Sequence, residues 1–202
     1  MTLPFAPNHR VLFVGQTQSG KTTLFKRHLR ELPSAVIFDV KGQYRDVARP
    51  TSDPRQIIPL LKAGHVKVAF QPPDARPEWL NYFCELAWNN LRRTTLVFEE
   101  IGAYTSPGLM PRRLRDLVMI AQGEPRKLGM VFLNPRPTGL HNDLLSQVTH
   151  VFSFSQDNRN DVGRLCAEYS AGMSVVQELA PFEFVHFDRI TKKVERHQPE
   201  GK

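Results

Sequence analysis

The sequence predicts an α/β fold with a mostly parallel central sheet, helices on both faces and a C-terminal β-hairpin. Short apolar runs alternate with longer helical patterns along the chain. Most of these runs are continuously apolar, as in strands buried on both faces, whereas the tail alternates like a hairpin. At 202 residues, one domain is expected, with a core over about 11–170 and the hairpin over about 182–197.

The elements follow in order from local patterns. Short apolar runs predict strands over 11–14, 35–38, 66–70, 94–98, 130–133 and 150–154. Helical periodicity predicts helices over 21–31, 77–91 and 114–121. Asp157 is expected to cap a further helix that extends to residue 169. Segments rich in Pro, Gly or Asp predict loops over 49–54, 71–77 and 102–111.

Composition narrows the classes of function. The net charge of +7 favours a polyanionic partner, although a solvated basic surface explains it equally well. No apolar run approaches the roughly 20 residues of a membrane span, so no transmembrane segment is predicted. The two cysteines form no CxxC pair, and the seven histidines share no metal-ligand spacing.

The segment that follows the first predicted strand reads Gly-Gln-Thr-Gln-Ser-Gly-Lys-Thr and matches GxxxxGK[ST]. Backbone N–H groups of such a loop face phosphates, Lys21 reaches the β- and γ-phosphates, and Thr22 offers a hydroxyl to Mg²⁺. The motif predicts ATP and Mg²⁺ as cofactors, against the alternative of a glycine-rich turn with a chance lysine. No NKxD segment that would read guanine is present. The residues expected at the nucleotide are Gly15, Gln16, Thr17, Gln18, Ser19, Gly20, Lys21, Thr22 and Thr23.

Two carboxylates, Glu99 and Glu100, end the predicted strand over 94–98. In an ATPase with such a loop, the first acid helps to hold Mg²⁺ and the second orients or deprotonates the attacking water. Successive strand residues point to opposite faces, which allows two different roles. The alternative is a solvated strand end. The sequence thus predicts Thr22 and Glu99 as metal ligands and Glu100 as the catalytic base.

Three further segments, over 35–44, 126–138 and 147–154, carry a resemblance to a known family. In order and spacing they resemble motifs of the HerA/FtsK superfamily of ATPases, over about 11–164. Gln43 stands where Glu is usual, Asn134 where Gln is commoner, and Pro135 precedes Arg136. The resemblance implies a RecA-like P-loop NTPase fold and a hexameric ring with ATP between subunits. It also places Asp39 at the nucleotide and makes Asn134 a sensor of the γ-phosphate.

Ring ATPases of this kind need a cation from the neighbouring subunit to neutralise charge on the γ-phosphate. The resemblance places Arg126 just before the sensor strand and Arg136 just after it. Arg126 is the first candidate for this role and Arg136 the second. The alternative is that each is a surface arginine in an ion pair.

The loop after the paired acids contains Tyr104 and leads to three arginines, Arg112, Arg113 and Arg115. A loop followed by arginines can follow the phosphates of DNA in a central channel, with Tyr104 stacking on a base. The alternative is a basic, solvated helix face. These four residues are the predicted DNA contacts.

The small size matches minimal members of the superfamily, which include genome-packaging ATPases of tailless, internal-membrane double-stranded DNA viruses. The resemblance therefore implies an ATP-driven motor that packages viral DNA. Its partners would be double-stranded DNA, copies of itself and a capsid vertex or portal protein, at the virion vertex or in the host cytoplasm. Two alternatives remain, a small-molecule P-loop kinase and a Zot-like ATPase of phage morphogenesis or secretion.

Overall fold

Residues 9–198 are the part of the chain that the computed structural model describes, and within it nine strands form one sheet. The strands are β1 (Arg10–Val14), β2 (Ala35–Phe38), β3 (Arg49–Thr51), β4 (Lys67–Phe70), β5 (Thr95–Glu99), β6 (Gly129–Asn134), β7 (His150–Ser153), β8 (Phe184–Asp188) and β9 (Lys193–His197). Their order across the sheet is β3-β4-β2-β5-β6-β1-β7-β8-β9. Strands β1 to β7 pair in parallel, and β8 pairs antiparallel with β7 and β9. The predicted mostly parallel sheet with a terminal hairpin is confirmed.

Helices connect these strands. They are α1 (Lys21–Leu29), α2 (Ile57–Lys62), α3 (Pro77–Asn90), α4 (Arg112–Ile120), α5 (Asn142–Gln147) and α6 (Arg159–Glu168). The predicted helices correspond to α1, α3, α4 and α6, whereas α2 and α5 were not predicted. The prediction that Asp157 caps α6 is wrong, because Asn158 is the N-cap and its side chain accepts a hydrogen bond from the backbone N–H of Asn160.

The sheet separates two hydrophobic cores. In β1, Leu12 and Val14 face one core, while Val11 and Phe13 face the other. Helices α2 to α6 pack into the first core, and α1 contributes Phe25 to the second. Helices on both faces of the sheet are thus confirmed, with five helices on one face and one on the other. Among residues 9–198, no helix combines the length and the apolar character needed to cross a membrane.

One predicted loop contains an edge strand. Residues 49–54 were expected to form a loop, but Arg49–Thr51 form β3, which pairs in parallel with β4. Pro50 is tolerated because β3 is at the edge of the sheet, where one side of the strand needs no ladder hydrogen bonds.

The strand order brings four loops together at the carboxyl ends of the central parallel strands. Val14 is paired with Asn134, and Phe98 is paired both with Phe132 and with Phe38. Because β1, β6, β5 and β2 are neighbours and parallel, the loops that leave their carboxyl ends adjoin. The GxxxxGKT loop, Asp39, the two glutamates and Asn134 all lie at these ends.

Candidate nucleotide-binding and hydrolysis site

The GxxxxGKT loop has a conformation that requires glycine at two positions. Gly15 has φ +147° and Gly20 has φ +106°, both in the region that side chains avoid. A Cβ on Gly15 would lie 2.6 Å from the Cβ of Phe154. The loop therefore passes close to β7 and delivers the chain into α1, whose first turn contains no acidic residue. The backbone N–H groups of that turn remain available for phosphate oxygens.

Lys21 lies inside this loop. Its ammonium donates hydrogen bonds to the carbonyl oxygens of Gly15 and Gln16, at 2.5 and 2.6 Å. Burial lowers the pKa of Lys21 to about 8, although Glu100 and Glu99 act in the opposite direction. A buried cation surrounded by backbone dipoles is suited to an anionic ligand, because phosphate oxygens would restore the stabilisation that burial removes.

The outer residues of the loop are more accessible. Gln16, Thr17, Gln18 and Thr23 are exposed, and Ser19 and Thr22 are partly exposed. The side-chain amide of Gln16 donates a hydrogen bond to Asp157 at 2.5 Å, which ties the loop to the segment after β7. Asp157, which was expected to cap a helix, instead holds the phosphate-binding loop.

Two buried carboxylates meet beside Lys21. Glu99 and Asp39 follow paired residues of β5 and β2 and point to the α1 side of the sheet. Asp39 accepts hydrogen bonds from the backbone N–H groups of Gln43 and Tyr44 and from the side-chain amide of Gln71. Burial raises the pKa of Glu99 to about 8, and a hydrogen bond with Asp39 acts in the same direction.

This carboxylate pair fits a magnesium ion. Oε2 of Glu99 is buried and has no hydrogen-bond partner among the described residues. An unpartnered carboxylate oxygen next to a second carboxylate is a costly arrangement without a cation. Mg²⁺ prefers oxygen ligands, and Thr22, the second residue of α1, carries a hydroxyl oxygen. Thr22, Glu99 and Asp39 thus carry oxygen atoms of the kind that Mg²⁺ binds.

Glu100 has a different environment from Glu99. Its φ of 53° is in the left-handed region, which is uncommon for a residue with a side chain and turns the chain out of β5. Its carboxylate accepts a hydrogen bond from the ammonium of Lys41 at 2.6 Å. The sequence motif predicts no role for Lys41, although this residue lies two positions after Asp39 in the same motif.

Asn134 connects two of the loops. Its side-chain oxygen accepts a hydrogen bond from the N–H of Gly102 at 2.8 Å, and its NH₂ group donates to the carbonyl oxygen of Arg136 at 2.7 Å. The side chain is 3% exposed. Each end of the amide thus makes one hydrogen bond with the backbone, and the NH₂ group keeps a second N–H with which it could contact the γ-phosphate. Its role as a sensor stays a prediction.

The two arginines predicted to act on a neighbouring subunit lie at opposite ends of strand β6. Arg136 follows β6 on the same edge as the GxxxxGKT loop and pairs with Asp161 at 2.8 Å. Arg126 precedes β6, and its guanidinium stacks on the ring of Trp88 at 3.7 Å. Arg126 therefore cannot reach the nucleotide of its own chain. Its predicted action in a neighbouring subunit is untested.

The predicted DNA contacts are divided between buried and accessible positions. The structure contradicts a stacking role for Tyr104, which is 7% exposed and packs edge-on against Phe38 in the larger core. The reason is that the 3₁₀ helix after β5 turns this side chain inward. Arg112 is exposed and, with Arg113, lines a groove of about 970 Å³ between α3 and the segment after β5. Arg115 pairs with Asp143 at 2.7 Å.

Phe182 lies beside the phosphate-binding loop and is not among the residues that the sequence predicts there. It has φ 68°, is 52% exposed, and its ring lies 2.8 Å from the position that a Cβ on Gly20 would occupy. An exposed aromatic ring in a strained conformation beside the phosphate-binding loop is placed to contact a nucleotide. No sequence signal links it to the loop, because only the packing of the segment before β8 brings it there.

The fold and this loop together define a P-loop NTPase of the α/β class. No protein-family model and no curated protein sequence matches the chain. Its structure is similar to that of the genome packaging NTPase B204 from Sulfolobus turreted icosahedral virus 2 in complex with ATP-gammaS, with a TM-score of 0.81, 16% identity and coverage of 96% of this chain and 98% of the other.

Two further solved structures support the same fold. The DNA-packaging ATPase B204 from Sulfolobus turreted icosahedral virus has a TM-score of 0.80 and 14% identity, covering 97% of this chain and all 100% of the other. VirB4 of Thermoanaerobacter pseudethanolicus has a TM-score of 0.65 and 8% identity, with 96% of this chain and 89% of that chain covered. The α/β P-loop NTPase fold that the sequence predicts is thereby confirmed.

Proposed function

We propose that this protein is an ATP-hydrolysing motor that moves double-stranded DNA into a preformed viral capsid. One observation carries the proposal. The P-loop, the carboxylate pair and Glu100 meet at one edge of a sheet whose fold is shared, over nearly the whole of both chains, with a genome packaging NTPase. The paired acids favour water as the phosphoryl acceptor, which distinguishes a motor from a small-molecule kinase.

Each group at this edge has a role in hydrolysis. The N–H groups of the loop and of α1 bind the phosphates, and Lys21 contacts the β- and γ-phosphates. Thr22, Glu99 and Asp39 hold Mg²⁺, which offsets negative charge on the phosphate oxygens. Glu100 accepts a proton from the attacking water, and Lys41 holds its carboxylate at the mouth of the site.

The motor acts as a ring of identical chains, and one nucleotide binds between each pair of neighbouring chains. A ring completes the site, because the chain's own Arg126 is at the far edge of its sheet and only another copy can supply it. A capsid vertex or portal protein aligns the ring with the capsid, and the protein works at the virion vertex or in the host cytoplasm.

The experiment is steady-state ATP hydrolysis with and without linear double-stranded DNA, with single-stranded DNA for comparison. We expect duplex DNA to stimulate hydrolysis strongly. Lys21→Ala should abolish the activity because the phosphates lose their cation. Glu100→Gln should lower the rate by about 10² to 10⁴ while ATP still binds, because only proton transfer is lost.

Two outcomes would reject this function. Hydrolysis that ignores every nucleic acid would contradict DNA translocation and leave a P-loop ATPase of another kind. ATP turnover that depends on a small-molecule acceptor and not on Glu100 would indicate a kinase.

A further inference from the structure

The last strands of the sheet gather histidines on the face of the second core. His150 on β7 and His186 on β8 lie side by side, with the Nδ1 of His150 and the Nε2 of His186 3.2 Å apart. In the antiparallel pair of β8 and β9, His186 is opposite Glu195, and His197 is two residues further along β9. Residues two apart on a strand project from the same face, so these side chains converge.

We propose that His186, Glu195 and His197 form a binding site for Zn²⁺ that joins β8 to β9. One ligand atom from each of the three side chains lies within 4.8 Å of the other two. Two imidazole nitrogens and a carboxylate oxygen form a ligand set that zinc favours, with a fourth position left for water. This site is separate from the P-loop and does not depend on the proposed motor function.

The two imidazole rings are held in place by their neighbours. His186 stacks on Phe152 with ring centroids 4.5 Å apart and an interplanar angle of 4°. His197 stacks on Phe184 with centroids 5.0 Å apart and an angle of 21°. Both phenylalanines belong to the second hydrophobic core, so rigid packing orients the ligands before any ion arrives.

One ligand atom of the site, on His197, lacks a hydrogen-bond partner within the described part of the chain. Nε2 of His197 is buried and has no hydrogen-bond partner among residues 9–198, and the nearest carboxylate oxygen, from Glu195, is 3.9 Å away. A buried imidazole nitrogen without a partner costs free energy that a metal bond would remove. Glu195 is exposed, which gives the ion access from solvent and supplies a negative charge.

The consequence of zinc binding is mechanical. In the described region β9 is the edge strand and pairs with β8. A hairpin at the edge of a sheet frays more readily than its centre. A bond from each strand to one ion would tie the edge strand down, since a ligand that binds the folded state stabilises it.

The test is metal binding by the full-length protein, stripped of metal with a chelator and kept in excess Mg²⁺ to occupy the P-loop site. We expect isothermal titration to show one Zn²⁺ per chain and a raised thermal midpoint. Co²⁺ should give the visible absorption of a four- or five-coordinate site. Glu195→Gln and His197→Gln should each weaken zinc binding by more than the 10- to 100-fold that loss of an outer-shell partner typically causes.

His65→Gln is the matched control, because His65 is exposed and precedes β4, outside this cluster. It should bind zinc as the unaltered protein does. Glu195→Gln keeps the shape of an exposed side chain, so unchanged ATP binding will show that it folds. The proposal is overturned if no stoichiometric Zn²⁺ binds at micromolar concentration, or if the double variant Glu195→Gln, His197→Gln binds it equally well.

Discussion

At the scale of single residues, Gly102 and Asn134 fit together with no room for a larger side chain. A Cβ on Gly102 would lie 2.7 Å from the amide nitrogen of Asn134 and 2.8 Å from its oxygen. We expect Gly102→Ala to lower the free energy of unfolding by about 1–3 kcal/mol, as overpacking does. The variant should also slow ATP hydrolysis, because Asn134 would be displaced from the loop that follows Glu100.

Gly108→Ala provides the control for this prediction. Gly108 is in the same connection between β5 and α4, but a Cβ there would meet nothing within 4 Å. Its free energy of unfolding, measured by urea denaturation, should stay within about 0.5 kcal/mol of the original. Equal stability of the two variants would show that Asn134 can move away without cost.

Phe182 supports a prediction about the nucleotide. Its exposed ring beside Gly20 offers a surface on which a base can stack, and such stacking is worth about 1–3 kcal/mol per base. We expect Phe182→Ala to weaken ATP binding about tenfold and to leave the binding of inorganic tripolyphosphate unchanged, because tripolyphosphate has no base. Phe182→Tyr should restore ATP affinity. An equal loss for both ligands would mean that Phe182 only supports the loop.

At the scale of secondary structure, the strands were predicted better than anything else. The six predicted strands agree with the structure to within one residue at each end, because parallel strands buried on both faces are continuous apolar runs. Strand β3 was missed because Arg-Pro-Thr has no apolar pattern, and its pairing with β4 depends on tertiary contact. Helix α2 was missed because Pro59 interrupts a segment of six residues.

The site was predicted to the extent that it is local in sequence. The P-loop and the paired glutamates are continuous motifs, so their spacing alone indicated their chemistry. The contact between Glu99 and Asp39 joins distant segments, as does the position of Phe182, and neither has a local signature. Tyr104 was misjudged for the same reason, since a loop rich in Gly and Pro gives no sign that one ring turns into the core.

The two arginines that begin α4 have separate roles. Arg113 pairs with Glu85 at 2.6 Å and Asp116 at 3.0 Å and lies over the ring of Trp88, so it links α4 to α3. Arg112 is exposed beside the groove. We expect Arg113→Ala to lower the midpoint of urea denaturation, and Arg112→Ala to leave it unchanged.

The affinity for duplex DNA should depend on Arg112 and not on Arg113. If Arg112 contacts a phosphate, Arg112→Ala lowers the affinity and reduces the slope of log K against log salt by about one. Fluorescence anisotropy at several salt concentrations measures both quantities. A salt slope that is unaffected by Arg112→Ala would exclude Arg112 from the DNA interface.

At the scale of the whole molecule, the sheet separates Lys21 of the P-loop from Arg126, the arginine that we propose acts on a neighbour's nucleotide. Lys21 follows the carboxyl end of β1, whereas Arg126 precedes the amino end of β6, and these strands are parallel neighbours. Five strand residues span about 16 Å, so one chain cannot bring both cations to one phosphate. A head-to-tail neighbour can, since in such an interface different surfaces of the two copies meet.

This separation predicts complementation between inactive variants. Lys21→Ala should be inactive because it lacks a nucleotide site, and Arg126→Ala should lose about 10³- to 10⁵-fold in rate. In an equal, freely exchanging mixture, about a quarter of the head-to-tail interfaces pair an intact P-loop with an intact Arg126. The mixture should therefore hydrolyse ATP far faster than either variant alone, in a steady-state assay at fixed total protein.

A second mixture, of Lys21→Ala with Arg136→Ala, distinguishes the two arginines. Arg136 is on the same edge as the P-loop and is paired with Asp161, so its loss is expected to disturb its own subunit's site. Recovery with Arg136→Ala and none with Arg126→Ala would transfer the trans role to Arg136. Failure of both mixtures, with each variant still assembling, would mean that neither Arg126 nor Arg136 acts across the interface. Because complementation needs contact between copies, recovery in either mixture is also direct evidence that the active form is an oligomer.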